Sequence, residues 1–102
     1  MLHNVYFWLK PDLDPADLQV FESELAKIAA LDYLAFGFAG KPAATEPRPV
    51  TDHSFGYTLA LRFKTLADHD FYQSECPAHK RFIETCRDFW SRVVVYDSDS
   101  LG

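Results

Sequence analysis

The chain has no apolar run near the roughly 18 residues that a membrane span requires, and no such span is expected. Its opening, Met1-Leu2-His3-Asn4, carries no basic stretch and no small-residue cleavage site follows, so an export leader is not expected either. Cysteine is scarce, with Cys76 and Cys86 alone. On a common helix their spacing would put them roughly 15 Å apart at about 1.5 Å per residue. A disulfide wants Cα atoms within about 7 Å. Two free thiols point to a reducing compartment, the cytoplasm.

Glycine numbers only four, and no glycine-rich turn opens a helix, which excludes a phosphate loop. There is no Gly-x-Ser-x-Gly elbow for a serine nucleophile. The sequence also lacks Cys-x-x-Cys, His-x-His and His-Glu-x-x-His, so neither a metal site nor a resident cofactor is expected. Positive charge is in short supply: 10 Lys and Arg stand against 15 Asp and Glu, for a net charge of −5. The densest basic group, Lys80-Arg81 with Arg87, is interleaved with Glu84 and Asp88. That is a solvated helix face, and nucleic acid is not an expected partner.

Aromatic side chains are abundant. Nine Phe, five Tyr and two Trp make 16% of 102 residues, more than one small core readily hides. Some of them should line a cavity or a subunit interface, where such rings are enriched, and a homodimer is expected. The length suits one domain spanning residues 1–102.

The first strand covers residues 2–10, with His3, Val5, Phe7 and Leu9 on one face and Asn4, Tyr6 and Trp8 on the other, and Pro11 ends it. Asp14, Pro15 and Asp17 mark a helix start. Leu18, Phe21, Leu25 and Ile28 form its apolar stripe as far as about Ala30, with Glu22, Glu24 and Lys27 on the solvent side. Residues 33–40 read as a second strand with bulky Leu34, Phe36 and Phe38 opposite small Ala35, Gly37 and Ala39. The stripped face means either close approach by a helix or a ligand cavity. A loop with three prolines spans 41–52.

A third strand from about Phe55 to Phe63 alternates, with Phe55, Tyr57, Leu59, Leu61 and Phe63 on one face. Thr65 and Asp68 start a short helix, and Pro77 breaks it and opens another. The stripe of this last helix is Phe82, Ile83, Cys86 and Phe89 or Trp90, and His79 lies on it. Val93-Val94-Val95-Tyr96 reads as a closing strand buried on both faces, followed by a polar tail from Asp97. The order strand, helix, strand, strand, broken helix, strand is that of an α+β, ferredoxin-like βαββαβ fold with a four-stranded antiparallel sheet. The free face of that sheet, carrying Tyr6, Trp8, Leu34, Phe36 and Phe38, would be buried by pairing two such sheets face to face.

Among these residues His79 is the first candidate for chemistry. It is either a general acid or base projecting into an apolar pocket or a core histidine with a satisfied hydrogen bond. Tyr72, before the Pro77 break, is its natural hydroxyl partner or else a packing residue. His3 and Tyr57 could hydrogen-bond a polar ligand group from the sheet. His53 and His69, beside Asp52, Asp68 and Asp70, read as solvated. Cys76 reads as an inert residue preceding Pro77.

His3-x-Val5 followed by Phe7-Trp8-Leu9-Lys10 resembles the opening of the stress-responsive A/B barrel (Dabb) family. Tyr72, Pro77-Ala78-His79-Lys80-Arg81-Phe82, Trp90 and Val93-Val94-Val95-Tyr96-Asp97 resemble its second signature, and the likeness covers nearly the whole chain in order. The resemblance implies a homodimer in which two ferredoxin-like sheets form a dimeric α/β barrel, with a pocket between sheet and helices in each subunit. It also implies a likeness to a plant polyketide cyclase of the family, which works without a cofactor using a Tyr and a His. On that likeness His79 and Tyr72 are catalytic, while His3, Tyr57, Phe82 and Trp90 line the ligand. In the cyclase the tyrosine lies one residue nearer the proline. One residue is about 100° on a helix, so Tyr72 meets His79 only if the break absorbs the difference.

Three functions follow. The first is a pocket for a small apolar or phenolic carbonyl compound, with cofactor-free acid–base chemistry of cyclase or isomerase type. The second is a non-catalytic stress or scaffold dimer. The third is a haem-degrading or quinol-type monooxygenase barrel, suggested by Asn4 and His79 but lacking the tryptophan such barrels carry near the third strand.

Overall fold

Strand β1 (Leu2–Leu9) alternates as its sequence does, burying His3, Val5 and Phe7 on one face. The computed structural model describes residues 1–102 and places β1 inside a four-stranded sheet of order β2-β3-β1-β4. The other strands are β2 (Leu34–Gly40), β3 (Tyr57–Phe63) and β4 (Trp90–Ser98), and every pairing is antiparallel. Helices α1 (Pro15–Ala29), α2 (Leu66–Ser74) and α3 (Pro77–Cys86), with a single 3₁₀ turn at Arg87–Phe89, cover the face that carries Val5 and Phe7. This is the ferredoxin-like α+β fold. No helix is long and apolar enough to cross a membrane.

Helix α1 begins at Pro15 after extended Asp14, whose side chain makes no capping hydrogen bond. Its Phe21, Leu25 and Ile28 are buried against the sheet. Glu24 departs from the solvent-side expectation: it is only 5% exposed. Its Oε1 accepts from Lys27 Nζ and from Arg81 Nε, each at 3.3 Å. A carboxylate at the α1–α3 seam is tolerable because two cations compensate its lost hydration.

Close helix approach explains the small face of β2. A Cβ at Gly37 would lie 2.0 Å from the Ala29 carbonyl oxygen at the end of α1. One feature of β2 differs from the alternation. Its register with β3 shifts between Leu34 and Phe36, so Leu34 sits opposite buried Phe63 and packs on the helix-side core. Leu34 therefore does not share the outer face with Phe36 and Phe38, because a bulge offsets the alternation.

Strand β3 starts at Tyr57, two residues later than its pattern suggested. A bend at Gly56, whose N–H donates to the Phe7 carbonyl at 2.7 Å, turns Phe55 onto the Tyr6 ring on the opposite face. Helix α2 has the expected cap, with Asp68 N–H donating to Thr65 Oγ1 at 3.1 Å. It closes where the N–H groups of Glu75 and Cys76 both donate to the Phe71 carbonyl, and Pro77 then opens α3. Strand β4 is an edge strand, not one buried on both faces: Val93, Val95 and Tyr96 remain exposed, since no helix lies over this margin of the sheet. It also runs on through Asp97, where a polar tail was expected.

Gly37→Ala should lower unfolding stability by about 1–3 kcal/mol, because the added methyl meets backbone and not a flexible side chain. Urea melts of this variant beside Gly102→Ala, whose new Cβ meets open space, measure the effect. Equal midpoints would contradict the close packing of α1 on β2.

Candidate functional site

The α2–α3 break decides where the catalytic candidates point. Tyr72 lies on the last turn of α2 and His79 on the first turn of α3. Their rings meet at 4.3 Å between centroids, tilted by 33°. The break at Glu75–Cys76 thus absorbs the extra residue between Tyr72 and Pro77.

Both rings border a hollow of about 120 Å³ between the sheet and the two helices. His3 and Phe7 of β1, Phe82 and Ile83 of α3, and Trp90 at the start of β4 also line it. Phe82 and Trp90 stack at 5.6 Å between centroids, forming an apolar wall. Val93 and Val95 of the exposed margin complete the lining, so the hollow opens toward the β4 side. The structure therefore brings together five of the six candidates: His79, Tyr72, His3, Phe82 and Trp90.

Tyr57 stands apart. It is buried in the sheet, but its hydroxyl donates to Glu22 Oε2 at 2.5 Å on the α1 side. There it lines a second, wider hollow of about 280 Å³ with Glu22, Ala26, Ala39, Gly40 and Lys41. Burial and the Glu22 carboxylate push the Tyr57 phenol up to about 12. Glu22 is in turn held below its usual range by the Tyr57 hydroxyl and by Lys41, 3.2 Å away. Tyr57 lies two positions from Leu59, the β3 residue that reaches the His79 hollow, about 6.6 Å at a strand's rise. Same-face alternation could not tell these two hollows apart.

The electrostatics of the His79 hollow favour a neutral imidazole. Burial disfavours the cation first, and the nearby His3 disfavours it further. The Tyr72 backbone works in the opposite sense without cancelling them. Burial also raises the Tyr72 phenol far above its ordinary value, assisted by Cys76 and Tyr33. Near neutral pH the pair is then a free base beside a protonated hydroxyl, able to accept a proton and to donate a hydrogen bond.

His3 is 3% exposed, and its Nδ1 lies 2.5 Å from Asp97 Oδ1 across the β1–β4 pairing, where the two residues are register partners. A carboxylate accepts only, so Nδ1 carries the proton in this bond. Asp97 had been read as tail. His69, read as solvated, is also inside the structure's reach: its side chain is 15% exposed and its ring lies 5.3 Å from that of His3. Neither residue carries a local motif, and only the packing of α2 side chains against the His3 ring shows the grouping. Both cysteines are free and buried, Cys76 at the N-cap of α3 and Cys86 at its end.

Comparison with known proteins agrees with this architecture. A Dabb family protein from Mesorhizobium loti superposes with a TM-score of 0.74 at 19% identity, covering 99% of this chain and 96% of that one. A dimeric ferredoxin-like protein of unknown function from Thermobifida fusca gives 0.72 at 14% identity, covering 93% and 85%. A hydroxynitrile lyase from Passiflora edulis gives 0.64 at 20% identity, covering 93% and 87%. No curated protein sequence matches this chain. The sequence profile of the Stress responsive A/B Barrel Domain matches residues 1–100; this chain belongs to the Dabb family.

Proposed function

We propose that residues 1–102 act as one domain of a cytoplasmic homodimer that takes a small apolar or phenolic carbonyl compound into the His79 hollow. In this reading His79 removes a proton α to the carbonyl, becoming imidazolium. The resulting enolate oxygen accepts a hydrogen bond from Tyr72, and the proton is returned at the end of a cyclase- or isomerase-type turnover. No cofactor takes part. The observation that carries this reading is the Tyr72–His79 contact at 4.3 Å on the edge of a mostly apolar hollow.

Size limits the substrate. An apolar cavity of about 150 Å³ holds benzene, so a hollow of about 120 Å³ suits one ring or a short acyl unit. Longer substrates would extend over the open β4 margin. The same size does not favour haem, since ligand and cofactor sites usually measure about 300–1,000 Å³. The Passiflora edulis hydroxynitrile lyase supports the general idea that this fold can host an enzyme.

Dimerisation accounts for the outer face of the sheet, where Phe36 is 53% and Phe38 50% exposed. Tyr6, Trp8 and Tyr96 lie on the same side. Such an apolar surface is costly in water, and the Thermobifida fusca neighbour is described as dimeric. A Phe36→Asp/Phe38→Asp double variant should run as a monomer by multi-angle light scattering, while the parent runs at twice the 11.7 kDa chain mass. A parent that is monomeric at micromolar concentration would remove this part of the reading.

Lowering of the His79 value on folding gives a signed pH test. The unfolded chain takes up the proton first, near the ordinary 6.5, so the stability due to the neutral ring is complete above that pH. It is lost as pH falls through the depressed native value. In denaturant melts between pH 5 and 8, His79→Asn should flatten the decline of stability below pH 6.5 relative to the parent. Parallel curves would show that His79 titrates as it does in the unfolded chain.

The functional test is a thermal-shift screen of phenolic, polyketide-like and fatty-acyl compounds. A ligand at 100 times its Kd adds about 2.7 kcal/mol, a shift of several degrees for a domain this size. With a turned-over compound in hand, His79→Ala should cost about 10²–10⁴-fold in rate with the fold intact. A screen without hits, combined with a His79→Ala variant that only melts earlier, would favour the scaffold dimer.

A further inference from the structure

Three side chains that no local motif connects converge beside the His79 hollow. His3 comes from β1, His69 from the first half of α2 and Asp97 from the end of β4. One ring nitrogen from each histidine and one Asp97 carboxylate oxygen all lie within 4.8 Å of one another. We propose that His3, His69 and Asp97 form a binding site for one first-row divalent cation, with zinc the best match to the donor set.

The donors fit the chemistry of that ion. Two imidazoles and one carboxylate are borderline ligands suited to zinc, while magnesium and calcium favour all-oxygen sets. Zinc bonds to nitrogen and oxygen of about 2.0–2.2 Å place tetrahedral ligands roughly 3.4 Å apart. The cluster must therefore tighten slightly on its long edges. It must also open the 2.5 Å contact between His3 Nδ1 and Asp97 Oδ1, where the ion would replace the shared proton.

Burial is graded in a way that allows entry. His3 is held inside the sheet face, His69 is mostly covered, and Asp97 is 45% exposed and can swing. Orienting groups are also in place. Asp70 Oδ1 lies 3.3 Å from His69 Nδ1 and can accept a hydrogen bond from its N–H, which leaves Nε2 to ligate. That nitrogen now faces the Gln73 amide at 3.4 Å, a weak contact that the ion would displace. Three protein ligands leave a coordination position open, as in zinc sites that hold water or a substrate atom.

The proposal does not rest on any reaction at His79, because binding is read directly. Untagged protein is titrated with Zn²⁺ by calorimetry and with Co²⁺ by visible absorbance, and ring-nitrogen shifts are followed by NMR in the parent chain. One ion per chain should bind, with tetrahedral Co²⁺ bands and shifts confined to His3 and His69. His69→Ala and Asp97→Asn should each weaken binding by more than about tenfold, whereas His53→Ala, paired with Thr45 elsewhere, should not. Binding that is unsaturable, that survives both substitutions, or that shifts His53 instead would overturn the site. Because the NMR readout uses the parent chain, a variant that fails to fold does not spare the proposal.

Discussion

The register of β1 between its two neighbours is the constraint on which the rest depends. Val5 and Phe7 anchor the helix-side core, and His3 enters the same face one step further along. A shift of one residue would turn all three to the opposite face and bring Asn4, Tyr6 and Trp8 inward. The same register sets His3 opposite Leu61 on β3 and opposite Asp97 on β4. Core packing and site assembly are thus consequences of one alignment.

Two helices then give the hollow its character. The α2–α3 break lets a tyrosine and a histidine from different helices bring their rings into contact, which a continuous helix could not do, because at about 1.5 Å per residue seven positions lie roughly 10 Å apart. Phe82, from the next turn of α3, stacks on Trp90 and excludes water from one side. The two histidines consequently sit in different surroundings. His79 is bordered by apolar groups and by His3, and burial works against its charge. His3 has a carboxylate beside it.

Much of this was legible in the residues. The element order, the Pro77 break, the Thr65 cap and the presence of His79 on an apolar stripe all rest on local periodicity and capping, which the chain carries within a few residues. The resemblance to the Dabb family followed from the same segments and agrees with the match over residues 1–100. Of the two readings left open for the small face of β2, close helix approach holds at Gly37. Misreadings fell where alternation was interrupted. A bulge moved Leu34 to the helix side, a bend moved Phe55 away from Tyr57, and an open margin left β4 exposed.

The sequence by itself determined which segments become strands and helices and which faces of them are apolar, because those properties depend on neighbours a few positions apart. Only the tertiary structure decided the partners of the polar side chains. Asp97 meets His3 from 94 positions away along the chain, Arg81 meets Glu24 from 57 away, and Tyr57 is taken by Glu22 from 35 away. Such pairs are set by strand register and by the angle at which helices cross the sheet. Those quantities come from packing the whole core at once, and no short stretch of chain encodes them.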